Sequence, residues 1–114
     1  MAETGSYQET LDYLRRYAAE DWLELSVVVD WANSVTGPGS TPAEIAAMTM
    51  RFAEDLVAAG AVPGDLVSDT RDFVPWAGKA TEQMGRLRSE LSEMVSQGRL
   101  PEGIDVCWFH KINR

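Results

Sequence analysis

The chain has one cysteine and one histidine in 114 residues. A metal site draws on several His, Cys or carboxylate ligands at suitable spacing. Cys107 and His110 stand three residues apart, in a segment whose alternation places them on opposite sides of a strand. The same alternation leaves Cys107 without an adjacent base to activate it as a nucleophile. A lone cysteine forms no internal disulfide, which fits a reducing compartment. The 9 glycines form neither a GxGxxG nor a P-loop, so phosphate cradling has no basis. Paired carboxylates occur at Glu20-Asp21 and Glu54-Asp55, but both pairs read as solvated helix surface rather than a cleft for acid–base work. No run of about 18 apolar residues offers a membrane span, and the opening MAETGSYQE is polar and acidic, unlike a signal peptide. The expectation is a cytoplasmic protein that is not an enzyme and uses no metal, cofactor or membrane.

Positive charge is scarce too. Ten Lys and Arg face eighteen Asp and Glu, a net charge of −8. Residues 1–30 hold seven acids and two bases (−5), residues 31–72 six and two (−4), and residues 73–114 five and six (+1). Nucleic-acid binders take much of their affinity from bases that neutralise phosphates, so this balance disfavours nucleic acid and suits a basic protein partner. Moderate acidity also keeps a small protein in solution.

What is present is an ordinary globular composition, with 45% hydrophobic and 25% charged residues, in a chain of the size of one domain, 1–114. The first helix is expected over Tyr7 to Ala19, with Ser6 and Glu9 as a capping box and Tyr7, Leu11, Leu14 and Ala18 as its apolar stripe. Tyr13 and Tyr17, four residues apart, flank that stripe, at the edge of the core or as aromatic surface. Residues 22–35 satisfy both a period of two and a helical stripe. Their length and Asp21 as N-cap favour a buried helix. After the break TGPGST, helix three carries Thr41 as N-cap, Pro42 in the first turn, Glu44 at the capping-box position and Gly60 beyond its end. A hairpin follows, with turns expected at Pro63-Gly64 and from Asp69 to Asp72. Helix four is expected from Lys79 to Gln97, with a heptad-like seam, a Glu82–Arg86 pair and Gly85 as a mark of close crossing. The last segment, around Trp108 and His110, alternates as a strand. The fold class is α+β, mainly α: four helices with a small antiparallel sheet made of the hairpin after helix three and the C-terminal strand, in a winged-helix-like layout.

Four tryptophans, each able to bury about 150–250 Å², suggest a Trp-rich core; the alternative leaves Trp76 and Trp108, beside Phe73 and Phe109, as exposed contact. Several features recur in order: an Asp-Trp-led helix (Asp21, Trp22, Leu25, Val28, Val29), a helix running into a glycine and hairpin (Leu56, Gly60, Gly64, Asp65), a Phe-x-Pro-Trp step (Phe73, Pro75, Trp76) and a closing Trp108-Phe109. Across nearly the whole chain this order resembles a group of small uncharacterised actinobacterial proteins. The resemblance brings no activity with it, and implies a layout similar to a winged helix-turn-helix. A DNA-reading helix three would expose Arg, Lys, Asn or Gln; here the positions expected to be exposed are Glu44, Thr49, Arg51, Glu54 and Asp55.

The expected function is a non-catalytic, acidic protein-binding module of the immunity or antitoxin kind, inhibiting a basic partner. Glu44, Glu54, Asp55, Asp65, Asp69 and Asp72 would steer and pair with the partner's bases while Phe73 or Trp76 supplies desolvated contact. The alternative is a winged-helix transcriptional regulator that binds DNA through Arg51, Arg86 and Arg88. A subunit role comes third, with the seam of helix four and the tyrosines of helix one as a homodimer face.

Overall fold

The computed structural model describes residues 2–67, 72–99 and 107–111, and the side chains of 7–65, 73–99 and 107–110. These residues form four helices, α1 (Ala2–Glu20), α2 (Leu25–Thr36), α3 (Pro42–Ala58) and α4 (Ala80–Ser96), and four strands, β1 (Leu23–Glu24), β2 (Ala61–Val67), β3 (Asp72–Pro75) and β4 (Trp108–Lys111). The strands make one antiparallel sheet in the order β1-β4-β2-β3. The protein is α+β and mainly α, with α2 and α3 followed by the β2–β3 hairpin. The C-terminal β4 lies inside the sheet. It pairs Phe109 with Leu23 on one side and with Pro63 on the other.

α1 starts earlier than Ser6 implies, at Ala2. Its buried stripe is the expected one, Tyr7, Leu11, Leu14 and Ala18. The ambiguous second segment is both things in turn. Leu23 and Glu24 pair with β4, the Leu25 amide donates to the Cys107 carbonyl at 2.9 Å, and the helix begins only there. Asp21 is therefore no N-cap; its carboxylate accepts from the next amide, that of Trp22, at 2.7 Å.

α3 follows its local signals closely. The Glu44 amide donates to Thr41 Oγ1 at 3.1 Å, Glu44 Oε1 accepts from the Thr41 amide at 2.8 Å, and Gly60 takes a φ of 108° beyond the last turn. Thr49, expected on the outside, is buried, and its hydroxyl donates to the Ile45 carbonyl at 2.8 Å. It falls between Ile45, Phe52, Ala53 and Leu56 on the face that meets the core.

Pro63-Gly64 is not a turn. β2 runs through it, and the position of the ring nitrogen explains how. The Trp76 amide donates to the Pro63 carbonyl at 2.9 Å, so residue 63 faces Trp76, and a reciprocal N–H is missing. Gln83 Nε2 on α4 donates to the Trp76 carbonyl instead, at 2.8 Å. Gly64 serves close pairing, since a Cβ there would lie 2.5 Å from the Val74 carbonyl. We expect Gln83→Leu to cost about 1–3 kcal/mol by orphaning that carbonyl. A Pro63→Ala background, which restores a donor, should shrink the loss. Equal losses in both backgrounds on denaturant unfolding would refute the substitution of one donor for the other. The Asp69 to Asp72 turn lies mostly outside the described residues.

α4 ends in a Schellman motif: the Gly98 amide donates to the Val95 carbonyl at 2.9 Å and the Arg99 amide to the Met94 carbonyl at 3.0 Å. The Glu82–Arg86 pair does not form. Glu82 accepts from the Lys79 amide at 2.7 Å, a better use of a carboxylate at a helix N-terminus, and Arg86 reaches Glu90 at 3.1 Å. The seam residues Met84, Leu87 and Leu91 are buried within the chain, so they are not free to form a dimer face. No atom from beyond the helix backbone and adjoining residues stands within 4 Å of a Cβ built on Gly85, so it marks no close crossing.

The core is mainly aliphatic, with Tyr7, Phe52, Trp76 and Phe109 as its aromatics, and is not tryptophan-rich. Trp76 alone of the four is buried, while Trp22 and Trp108 are half-buried and Trp31 is exposed. Cys107, just before β4, and Phe109 on it are buried, whereas Trp108 and His110 are half-buried. Among the described residues no helix is long and apolar enough to cross a membrane.

Candidate partner-binding surface

The carboxylates singled out in the sequence serve separate local structures. Glu44 closes its capping box. Glu54 pairs with Arg88 across α3 and α4. Asp55 accepts the Tyr7 hydroxyl, whose ring stacks on Phe52 at 4.5 Å. Burial first, then the hydrogen bond and charge of Asp55, push the Tyr7 phenol above its ordinary range. Asp65 accepts the Trp76 indole N–H at 3.0 Å. Asp69 lies outside the described residues, and the side chain of Asp72, in β3, outside the described side chains. Phe73 is half-buried, with its ring edge-on to His110 at 5.7 Å. Trp76 is only 4% exposed and lies beneath the Arg86 guanidinium at 3.7 Å, so it offers no contact to a partner.

Burial pushes the Cys107 thiol up to about 12, far from the thiolate that nucleophilic attack requires. His110 Nδ1 lies 3.2 Å from the Ala18 carbonyl and 3.3 Å from that of Asp21. Two acceptors make it the protonated nitrogen, and it ties β4 to the end of α1. Among the described residues no three His, Cys, Asp or Glu side chains gather as metal ligands.

The exposed face of α3 consists of Ala43, Glu44, Ala47, Arg51, Glu54 and Ala58. Its one base, Arg51, lies over the Tyr7 ring at 4.0 Å. Arg88 is held by Glu54 and Arg86 by Glu90, so each base proposed for DNA is engaged within the chain.

A different surface stands out. Tyr13 and Trp31 are each 39% exposed, with ring centroids 5.6 Å apart and planes at 56°. Tyr17, one turn along α1, packs edge-on against Tyr13 at 6.1 Å and reaches inward to the core. A cleft of about 520 Å³ opens beside them, lined by Tyr13, Arg16, Tyr17, Glu20 and Asp21. Glu9, four residues before Tyr13, shares its side of α1, and Asp30 adjoins Trp31; both are exposed. The tyrosine spacing signals this patch in the sequence. Trp31 is the residue that sequence reasoning missed, although it falls about 100° from Ala32, off the buried stripe of Leu25, Val28, Val29 and Ala32.

Compared with protein-family models, with curated proteins and with solved structures, the chain finds no match in any of the three.

Proposed function

We propose that this chain is a non-catalytic, acidic protein-binding module of the cytoplasm that docks and inhibits a basic partner, in the manner of immunity and antitoxin proteins. One observation carries the reading: the exposed Tyr13–Trp31 pair, backed by Tyr17, with Glu9, Glu20, Asp21 and Asp30 around it against the single base Arg16 in the cleft. Tyr and Trp are the side chains most often found at the energetic centre of interfaces, because a large rigid surface is desolvated at little cost in conformational entropy. Surrounding carboxylates steer a partner of opposite charge and add salt dependence to its approach. The contact thereby moves from α3 and the hairpin, where the carboxylates with described side chains are occupied, to α1 and α2. The winged-helix order of elements favours a DNA-binding regulator as second reading, and the engaged bases weigh against it.

The test begins with a pull-down from host lysate, with protein and nucleic acid identified together. The affinity of the recovered protein is then measured against two variants. Tyr13→Ala with Trp31→Ala should weaken binding about tenfold to a hundredfold. Glu44→Gln, on α3, should leave it unchanged. Equal affinity for all three proteins would sink this surface, and recovery of a defined DNA sequence with no protein would restore the regulator.

A further inference from the structure

We infer that the cleft at the end of α1 seats an arginine side chain, its guanidinium lying against the Tyr13 and Tyr17 rings with its N–H groups on Glu20 and Asp21. The inference rests on the reading of a basic partner, whose arginine would fill the seat. The fold builds the same arrangement twice from its own residues. Arg86 covers the Trp76 ring at 3.7 Å and reaches Glu90 at 3.1 Å. Arg51 covers the Tyr7 ring at 4.0 Å, and Asp55 accepts the Tyr7 hydroxyl. In both, an aromatic face lies under a guanidinium with a carboxylate at hand. At the end of α1 the rings and the carboxylates are present without the guanidinium.

The Tyr13 and Tyr17 rings meet at 83° with centroids 6.1 Å apart, and both line the cleft of about 520 Å³. A flat cation in that corner lies within the roughly 6 Å over which a ring face attracts it. Asp21 spends one carboxylate oxygen on the Trp22 amide at 2.7 Å and keeps the other. Glu20 is exposed and enters no salt bridge among the described residues. Arg16, the one base of the cleft, makes no salt bridge and covers no ring among the described residues, and it also lines the neighbouring cleft beside Asp12 and Arg15. Two acids against one base leave a charge of −1 among the lining residues, and no base stands in the last turn of α1, whose carbonyl end carries partial negative charge. The occupant is a guanidinium rather than an ammonium because its plane stacks on a ring while its N–H edge still bonds carboxylates, two contacts that a compact point charge does not combine.

The whole chain would be titrated with acetyl-Gly-Arg-Gly-amide while tyrosine ring resonances are followed by NMR, beside the same peptide carrying citrulline, which keeps the shape of arginine and loses its charge. Saturable shifts at Tyr13 and Tyr17 are expected, with the citrulline peptide binding about tenfold more weakly. Glu20→Gln with Asp21→Asn, which leaves an oxygen for the Trp22 amide, should erase that preference with the circular dichroism spectrum unchanged. Glu44→Gln with Glu93→Gln removes the same charge from α3 and α4 and should leave the preference intact. Absence of saturable shifts, or equal binding of the two peptides, would overturn the proposal. So would equal losses in the two double variants, which would mean that the net charge of the chain alone attracts the peptide. The titration needs no partner, so its failure leaves the Tyr13–Trp31 contact standing, whereas a recovered partner insensitive to Tyr13→Ala with Trp31→Ala would remove that contact and not the peptide result.

Discussion

Phe109→Ala is expected to remove about 3–5 kcal/mol of stability, a large part of the roughly 5–15 kcal/mol that holds a typical domain together. The side chain is completely buried, and its backbone stands in the register between Leu23 of β1 and Pro63 of β2. Truncation therefore opens a cavity at the point where both halves of the sheet lean on the last strand. Val74→Ala is the matched control: it lies on the edge strand β3 with its side chain exposed, and should cost less than about 1 kcal/mol. Urea denaturation of both variants checks the contrast. Comparable losses would mean that β4 is an accessory to the fold rather than its bridge.

Alkaline pH should destabilise the protein through Cys107. Burial raises the folded thiol from an ordinary value of 9.0 to about 12. The unfolded chain therefore sheds this proton first. The contribution is intact below pH 9 and is lost progressively as pH climbs towards about 12, at about 1.4 kcal/mol per unit and about 4 kcal/mol in full. Tyr7 adds to the decline above its ordinary value of 10.0, because its phenol is likewise raised. Unfolding midpoints of the wild type and Cys107→Ala, followed upward from pH 9, isolate the thiol. The variant carries a constant loss from its smaller side chain, and its curve should stay flat until Tyr7 begins to titrate. A wild-type curve that is flat across the same first unit would contradict the assignment.

The elements legible in the sequence are those whose causes are local. Thr41, Pro42, Glu44 and Gly60 bound α3 without help from the rest of the chain, and Gly98 stops α4. Where the decisive partner is far away, local signals mislead. Leu23 and Glu24 leave the helical pattern because β4 offers them a strand that no nearby residue announces. Pro63-Gly64 reads as a turn until Gln83, on another element, supplies the donor that proline lacks.

The candidate surface divides the same way. Counting acids shows that the chain is acidic, but not that Asp55 belongs to Tyr7 or Glu54 to Arg88. Only the packing of α1 on α3, and of α3 on α4, makes those pairs, and they withdraw the carboxylates that looked most available. Trp31 is the reverse case: its hydrophobicity argued for the interior, while the helix that carries it turns it outward beside Tyr13.

The placement of β4 also has a consequence for the newborn chain. Leu23 and its partner Phe109 are 86 residues apart, a gap that takes roughly 4–17 s to translate at about 5–20 residues per second. Until β4 has been made the edges of β1 and β2 that it joins have no strand between them, and the sheet stays divided however soon the helices form. Closure of the sheet therefore waits on the synthesis of β4.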